Sequence, residues 1–144
     1  MGVSGTASAT KDGVLFDGSR TEFIHVSDGT ANTLLLGERP PSTDLAFGWW
    51  YAGVGQDLRG ALDSHMGAAE RNMFDISTCP PGPDSFRSGD LLNQCDTYHF
   101  WSLHAGGANF AFCDGSVRFL PYSAADILPA LATRAGGEAV TLPD

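Results

Sequence analysis

No stretch of this sequence stays apolar for the roughly 18 to 20 residues that a membrane-spanning helix needs. The N-terminal residues also lack the charged, apolar and small-residue order of a secretory leader. As given, the chain therefore reads as soluble, with no membrane contact of its own. Positive charge is scarce as well: eight Lys and Arg stand against 17 Asp and Glu, a formal net charge of -9. Such a balance repels phosphate backbones and offers no basic stripe, which excludes nucleic acid and anionic lipid as partners. Long helix-forming stretches are few, and 18 Gly and 8 Pro break the chain often. That argues for many turns and short strands rather than a helical bundle.

What is present is enough for one core. At 144 residues, 42% hydrophobic with 3 Trp, 3 Tyr and 9 Phe, the chain suits a single globular domain over residues 1–144. Residues 1–12 are small and polar and read as a flexible linker. Three cysteines occur. Cys79 and Cys95 bracket a Pro- and Gly-rich loop, and a disulfide between them would stabilise by about 3 kcal/mol in the chain-entropy view. The bond implies an oxidising compartment, periplasm or cell surface. Cys113 is left over.

The residue pattern sets the expected elements. Val14-Leu15-Phe16 and Phe23-Ile24-His25-Val26, separated by turn formers, read as a strand hairpin. Thr33 through Glu38 reads as a buried central strand, and Ala46 through Ala52 as an aromatic-rich strand. From Gly53 to about Asp96 no period is sustained, which makes a long loop and the segment best suited to contact a partner. Around Asp114-Gly115 a two-residue type I′ hairpin is expected. Its register would pair Phe112 with Val117 and Phe110 with Phe119, all four on one buried face, and the reading of fold and role leans on that reversal. A short helix follows from Ile127, capped by Asp126 with Pro129 in its first turn. Residues 139–143 could add an edge strand. The class is α+β, mostly β: an antiparallel sheet with long loops and a short C-terminal helix.

Chemistry-bearing residues are sparse. His104, beside Gly106 and Gly107, reads as a structural histidine that bonds a backbone carbonyl or reaches toward Asp114. The turn alone accounts for Asp114 and Gly115. Cys113 with His104 could be imagined as a thiol enzyme, but isolated candidates of this kind are usually structural, so no enzyme is expected. Zinc spacings are absent, and the Gly53–Gly60 stretch lacks the Lys-Ser/Thr of a phosphate loop. Calcium is the candidate cofactor, with Asp28, Glu38, Asp96 and Asp114 as hard oxygen ligands. No EF-hand spacing links them, and four solvated carboxylates is the reading with priority. Trp49, Trp50 and Tyr51, with Phe100 and Trp101, could line a carbohydrate-binding face, although core packing competes.

The segment from Ser102 to Phe119 holds His104, nine residues, then Asp114-Gly115, with Gly106, Gly107 and Asn109 between. This resembles the signature of prepilin-like proteins with a C-terminal His-(nine residues)-Asp-Gly domain, a domain of unknown function. The segment Ser27 to Glu38 is similar to the one preceding the signature in the same proteins. Gly48–Gly53 and Ala130–Glu138 extend the likeness over nearly the whole chain. The resemblance implies a pseudopilin-like head of type II secretion kind, membrane-anchored in full-length relatives by a leader and apolar helix that this chain does not include. The function implied is a non-catalytic extracytoplasmic structural or interaction domain with protein partners. A calcium- or carbohydrate-binding module is the competing class.

Overall fold

The computed structural model of the chain describes residues 11–16, 18–41, 43, 66–69 and 78–142. Among them three strands form one antiparallel sheet in the order β1-β2-β3. β1 is Leu34–Gly37, β2 is Gly107–Phe112, β3 is Val117–Pro121, and a five-residue helix, α1, is Leu128–Ala132. Short 3-10 turns at Phe23–His25, Thr30–Asn32, Gln94–Tyr98 and Tyr122–Ala124 complete the regular structure described. The fold is α+β and mostly β, as the sequence implies.

β2 is the middle strand, and its alternation builds the core. Ala108, Phe110 and Phe112 are completely buried, joined by Leu34 from β1 and Leu120 from β3. The Phe110 ring meets Phe86 edge-on at 5.2 Å and Phe100 at 5.7 Å, the offset geometry that aromatic quadrupoles favour. From the far side Leu128, Leu131 and Ala132 of α1 close the same cluster, with Val140 and Leu142 packed partly buried against it.

The hairpin between β2 and β3 forms, but not in the expected register. Ala111 pairs with Val117, Phe110 with Arg118, and Asn109 with Phe119. The loop has three residues, Cys113-Asp114-Gly115, with Phe112 N–H donating to Ser116 O at 2.9 Å and Gly115 N–H to Phe112 O at 3.0 Å. A type I′ turn would need positive φ at both Asp114 and Gly115. Only Gly115 has it, at 86°, which is the type I turn plus left-handed glycine of a three-residue loop. Four hydrogen bonds favour this choice. The Asp114 carboxylate accepts from Ser116 N–H and hydroxyl, while Cys113 and Asp114 N–H donate to Thr33 O and Thr30 O.

A slip of one residue turns β3 over relative to β2. Phe110 and Phe112 stay inside, whereas Phe119 is 46% and Val117 67% exposed. Phe110 and Phe119 therefore lie on opposite faces, contrary to the shared interior expected. Leu120 takes the inner place, and Arg118, also inward, lays its guanidinium 4.5 Å from the Phe112 ring centre, where the π-face compensates the charge.

Other expectations also shift. Val14–Phe16 forms no strand, and Phe23–His25 is a 3-10 turn with Phe23 and Ile24 exposed, so the N-terminal hairpin is absent. β1 is at the edge of the described sheet, not its centre: a pairing irregularity between Leu34 and Leu36 leaves Leu36 exposed. α1 begins at Leu128 with Ile127 as its uncapped lead residue. The backbone is already coiled there, since Ile127 N–H donates to Ala124 O and Leu128 N–H to Ala125 O, so Asp126 never takes the extended cap conformation. Pro129 does lie in the first turn. Residues 139–142 pair with no strand. The strand expected at Ala46–Ala52 lies outside the described residues. Within the expected long loop, the described residues 66–69 and 78–93 form neither helix nor ladder strand.

The observed register separates the two phenylalanines energetically. Phe110→Ala is expected to cost about 3–5 kcal/mol and Phe119→Ala under about 1 kcal/mol, read from urea unfolding midpoints. Equal costs would restore the two-residue turn.

Candidate functional site

β2 carries the residues singled out above from one end to the other, and it sets how far apart they stand. His104 precedes the strand and Asp114 follows it. Six residues at about 3.3 Å each place them on the order of 20 Å apart, so the nine intervening residues are the strand plus its flanks. His104 and Asp114 do not meet.

At the His104 end the loop is shaped by local bonds. Ser102 hydroxyl donates to Gly107 O at 2.6 Å and accepts from His104 N–H at 2.9 Å, and Tyr122 N–H donates to Gly106 O at 2.8 Å. Gly106 has φ 84°. A Cβ on Gly107 would stand 2.1 Å from Leu120 O, so only glycine lets β3 approach. The His104 ring is held at the surface, its side chain 59% exposed, with Nε2 3.6 Å from Glu38 Oε1 and its ring centre 6.4 Å from that of Phe119.

Glu38 and Asn109 are the close pair of this region. Glu38 Oε2 accepts from Asn109 N–H at 2.6 Å and from its side-chain amide at 3.2 Å. The backbone repeats the link, with Glu38 N–H donating to Asn109 O and Trp101 N–H donating to Glu38 O. The two segments read separately in the sequence, Ser27–Glu38 and Ser102–Phe119, thus lie side by side, joined here and again at Thr30, Thr33, Cys113 and Asp114.

The four carboxylates considered for calcium occupy four different settings. Asp28 accepts from Gly136 N–H, Gly137 N–H and Thr133 hydroxyl, tying the chain after α1 to the start of the first segment. Glu38 serves Asn109, and Asp114 serves Ser116. Those Ser116 bonds, hydroxyl first and N–H second, hold the Asp114 carboxyl below the usual carboxylate range. Asp96 is 3% exposed. Among the described residues no three His, Cys, Asp or Glu gather as a metal-ligand group.

Asp96 anchors a network that sequence reading missed. Its Oδ1 lies 2.8 Å from Arg87 Nη1 and 2.9 Å from His99 Nε2. Oδ2 accepts from Asp90 N–H and Asn93 amide, and its carbonyl accepts from Trp101 Nε1 at 2.9 Å. Burial pushes the carboxyl up, but the bonds from His99, Asp90 N–H and Arg87 outweigh it and hold the group below its ordinary value. The available signal was the i, i+3 spacing of Asp96 and His99 beside the cysteine. Cys95 is bonded to Cys79 with Cα atoms 5.3 Å apart, as expected, so the bridge clamps the turn that presents Asp96.

Cys113 is a free, half-buried thiol. Burial, with the Asp114 charge adding to it, pushes the thiol up, which disfavours the nucleophilic thiolate. Of the aromatic clusters, Phe100 and Trp101 are buried in the core, and Trp49, Trp50 and Tyr51 lie outside the described residues, as does the Gly53–Gly60 stretch.

Geometry therefore defines a class: a mostly β, disulfide-clamped α+β domain in which no helix among the described residues is long and apolar enough to cross a membrane. The family described as "Protein of unknown function (DUF1559)" matches residues 3–126, and the chain belongs to it. No curated protein and no solved structure matches the chain.

Asp96 gives a pH prediction. Its folded pKa is depressed, so its contribution is present above the unfolded value of about 3.9 and disappears as pH falls through the lower folded value. Asp96→Asn is expected to cost about 3 kcal/mol at pH 7, the order found for breaking a buried pair. The gap to wild type should close in acid, followed by denaturant melts from pH 7 to 2. A gap constant with pH would exclude the charge as its source. Cys113 is expected to react with iodoacetamide at pH 8 more slowly than free cysteine, read by mass spectrometry.

Proposed function

We propose that this chain is a non-catalytic extracytoplasmic structural or interaction domain of a pseudopilin-like protein, working through contacts with other proteins. The observation that carries the reading is the dispersal of the chemistry-bearing residues along β2. Glu38, Asn109 and Asp114 each spend their polar atoms on the chain's own backbone and side chains. Among the described residues the His104 ring has the partly exposed Glu38 carboxylate at 3.6 Å and the Phe119 ring beside it. Catalysis needs a nucleophile, a base and a stabilising donor around one point. Here such groups serve the fold.

The Cys79–Cys95 bond supports an oxidising location, periplasm or cell surface. The loop it closes is suited to contact a partner. It exposes Leu92 at 89% and Leu91 at 42%, apolar groups that folding has not used.

In its native cells the full-length protein is expected in an extracytoplasmic fraction, with Cys79 and Cys95 labelled by maleimide only after reduction. A photo-crosslinking residue at Leu92 should yield a discrete adduct with another protein, whereas one at the exposed Ala135 should not. Recovery from the cytosol with both thiols free, or no adduct at Leu92, would sink the reading.

A further inference from the structure

Acidic residues outnumber basic ones about two to one in this chain, yet one surface cavity reverses the balance. Phe16, Arg20, Thr21, Ile24, His25, Ser27 and Arg134 line a space of about 530 Å³, within the range of small-molecule sites. Two of the chain's eight basic residues face it, and among the described residues no Asp or Glu lines it.

Among the described residues no carboxylate pairs with either guanidinium. Arg20 is exposed and makes no hydrogen bond or ion pair with any described residue. Arg134 is fixed in place: its Nη1 donates to Lys11 O and to Gly13 O at 2.6 Å, and its guanidinium lies 5.5 Å from the Phe16 ring centre. Carbonyls and a ring orient that charge without cancelling it. No carboxylate forms an ion pair with it among the described residues. A cation held this way is preorganised, because its side-chain entropy was lost on folding rather than on binding.

The remaining polar groups fit the same ligand. His25 Nδ1 accepts from Glu22 N–H at 3.0 Å, which leaves Nε2 as the ring's hydrogen-bond donor. Ser27 adds a hydroxyl with no partner among the described residues, while Thr21 hydroxyl is already committed to Val14 O. Phe16 and the 82% exposed Ile24 supply apolar wall.

We propose that this cavity binds a small organic oxyanion, with a carboxylate or phosphate head between Arg20 and Arg134 and an apolar body against Phe16 and Ile24. Guanidinium pairs both heads through forked, charge-assisted hydrogen bonds. The overall negative charge opposes anions at long range, so affinity depends on these local donors and weakens with salt.

Calorimetric titrations with benzoate, phenyl phosphate, inorganic phosphate and neutral benzyl alcohol test this on the whole chain. Saturable binding of benzoate or phenyl phosphate is expected below about 10 mM, and which of them binds distinguishes carboxylate from phosphate. Arg20→Gln should weaken it by about tenfold, the loss of one charge-assisted bond, and Arg20→Lys should recover part of that. Arg20 has no structural partner, so unchanged thermal melting is expected and makes any loss specific to the site. The proposal is overturned by no saturation in wild type, by equal affinity in Arg20→Gln, or by equal binding of benzyl alcohol. Inorganic phosphate binding as tightly as phenyl phosphate would also overturn it, by removing the role of Phe16 and Ile24.

Discussion

The antiparallel union of residues 30–38 with residues 109–114 is the constraint on which the rest of the domain depends. It joins parts of the chain about seventy residues apart, by backbone bonds at both ends and by the Glu38 carboxylate on Asn109. Closing so long a loop costs entropy before any contact is gained, and Glu38 offsets part of it with two charge-assisted bonds at one end. Once β1 lies along β2, Leu34 covers Phe112, and the inner face is apolar enough to receive α1. Without that union β2 and β3 would be an isolated hairpin, marginal in water.

The same constraint explains why some of the fold was legible in the sequence and some was not. Asp114-Gly115 announces a chain reversal on local grounds, and the reversal is there. The turn type was decided elsewhere, by Thr30 O and Thr33 O accepting from Asp114 and Cys113 N–H. Local preference for the type I′ turn lost to these contacts, and one residue of slip exchanged Phe119 for Leu120 in the core. Likewise Phe23-Ile24-His25-Val26 reads as a strand by composition, but no neighbouring edge pairs with it and it coils. Pro129 and the buried Leu128 and Leu131 fixed α1 well, because those signals act within one turn of helix.

The site residues divide along the same line. Cys79 and Cys95 were legible because a loop so poor in regular structure needs a covalent closure. The partners of Asp28, Glu38 and Asp96 were not, since each lies in a different layer of tertiary contact. A carboxylate counted in sequence is a candidate metal ligand. In the folded chain Asp96 is surrounded by four donors, from Arg87, Asp90, Asn93 and His99. Those bonds satisfy both of its oxygens from within the chain.

This satisfaction of the acids gives the unpaired arginines their weight. With acids in excess, a guanidinium lacking a carboxylate partner is not a matter of supply. Arg87 found Asp84 and Asp96, and Arg118 found a ring. Arg134 binds the carbonyls of Lys11 and Gly13 and packs on the Phe16 ring, and Arg20, at the same cavity, has no partner among the described residues. Two positive charges on one concave wall repel each other, a cost that an anionic ligand would relieve on binding. Along β2 the carboxylates of Glu38 and Asp114 are answered from within the chain; at the cavity the proposed oxyanion would supply the matching charge.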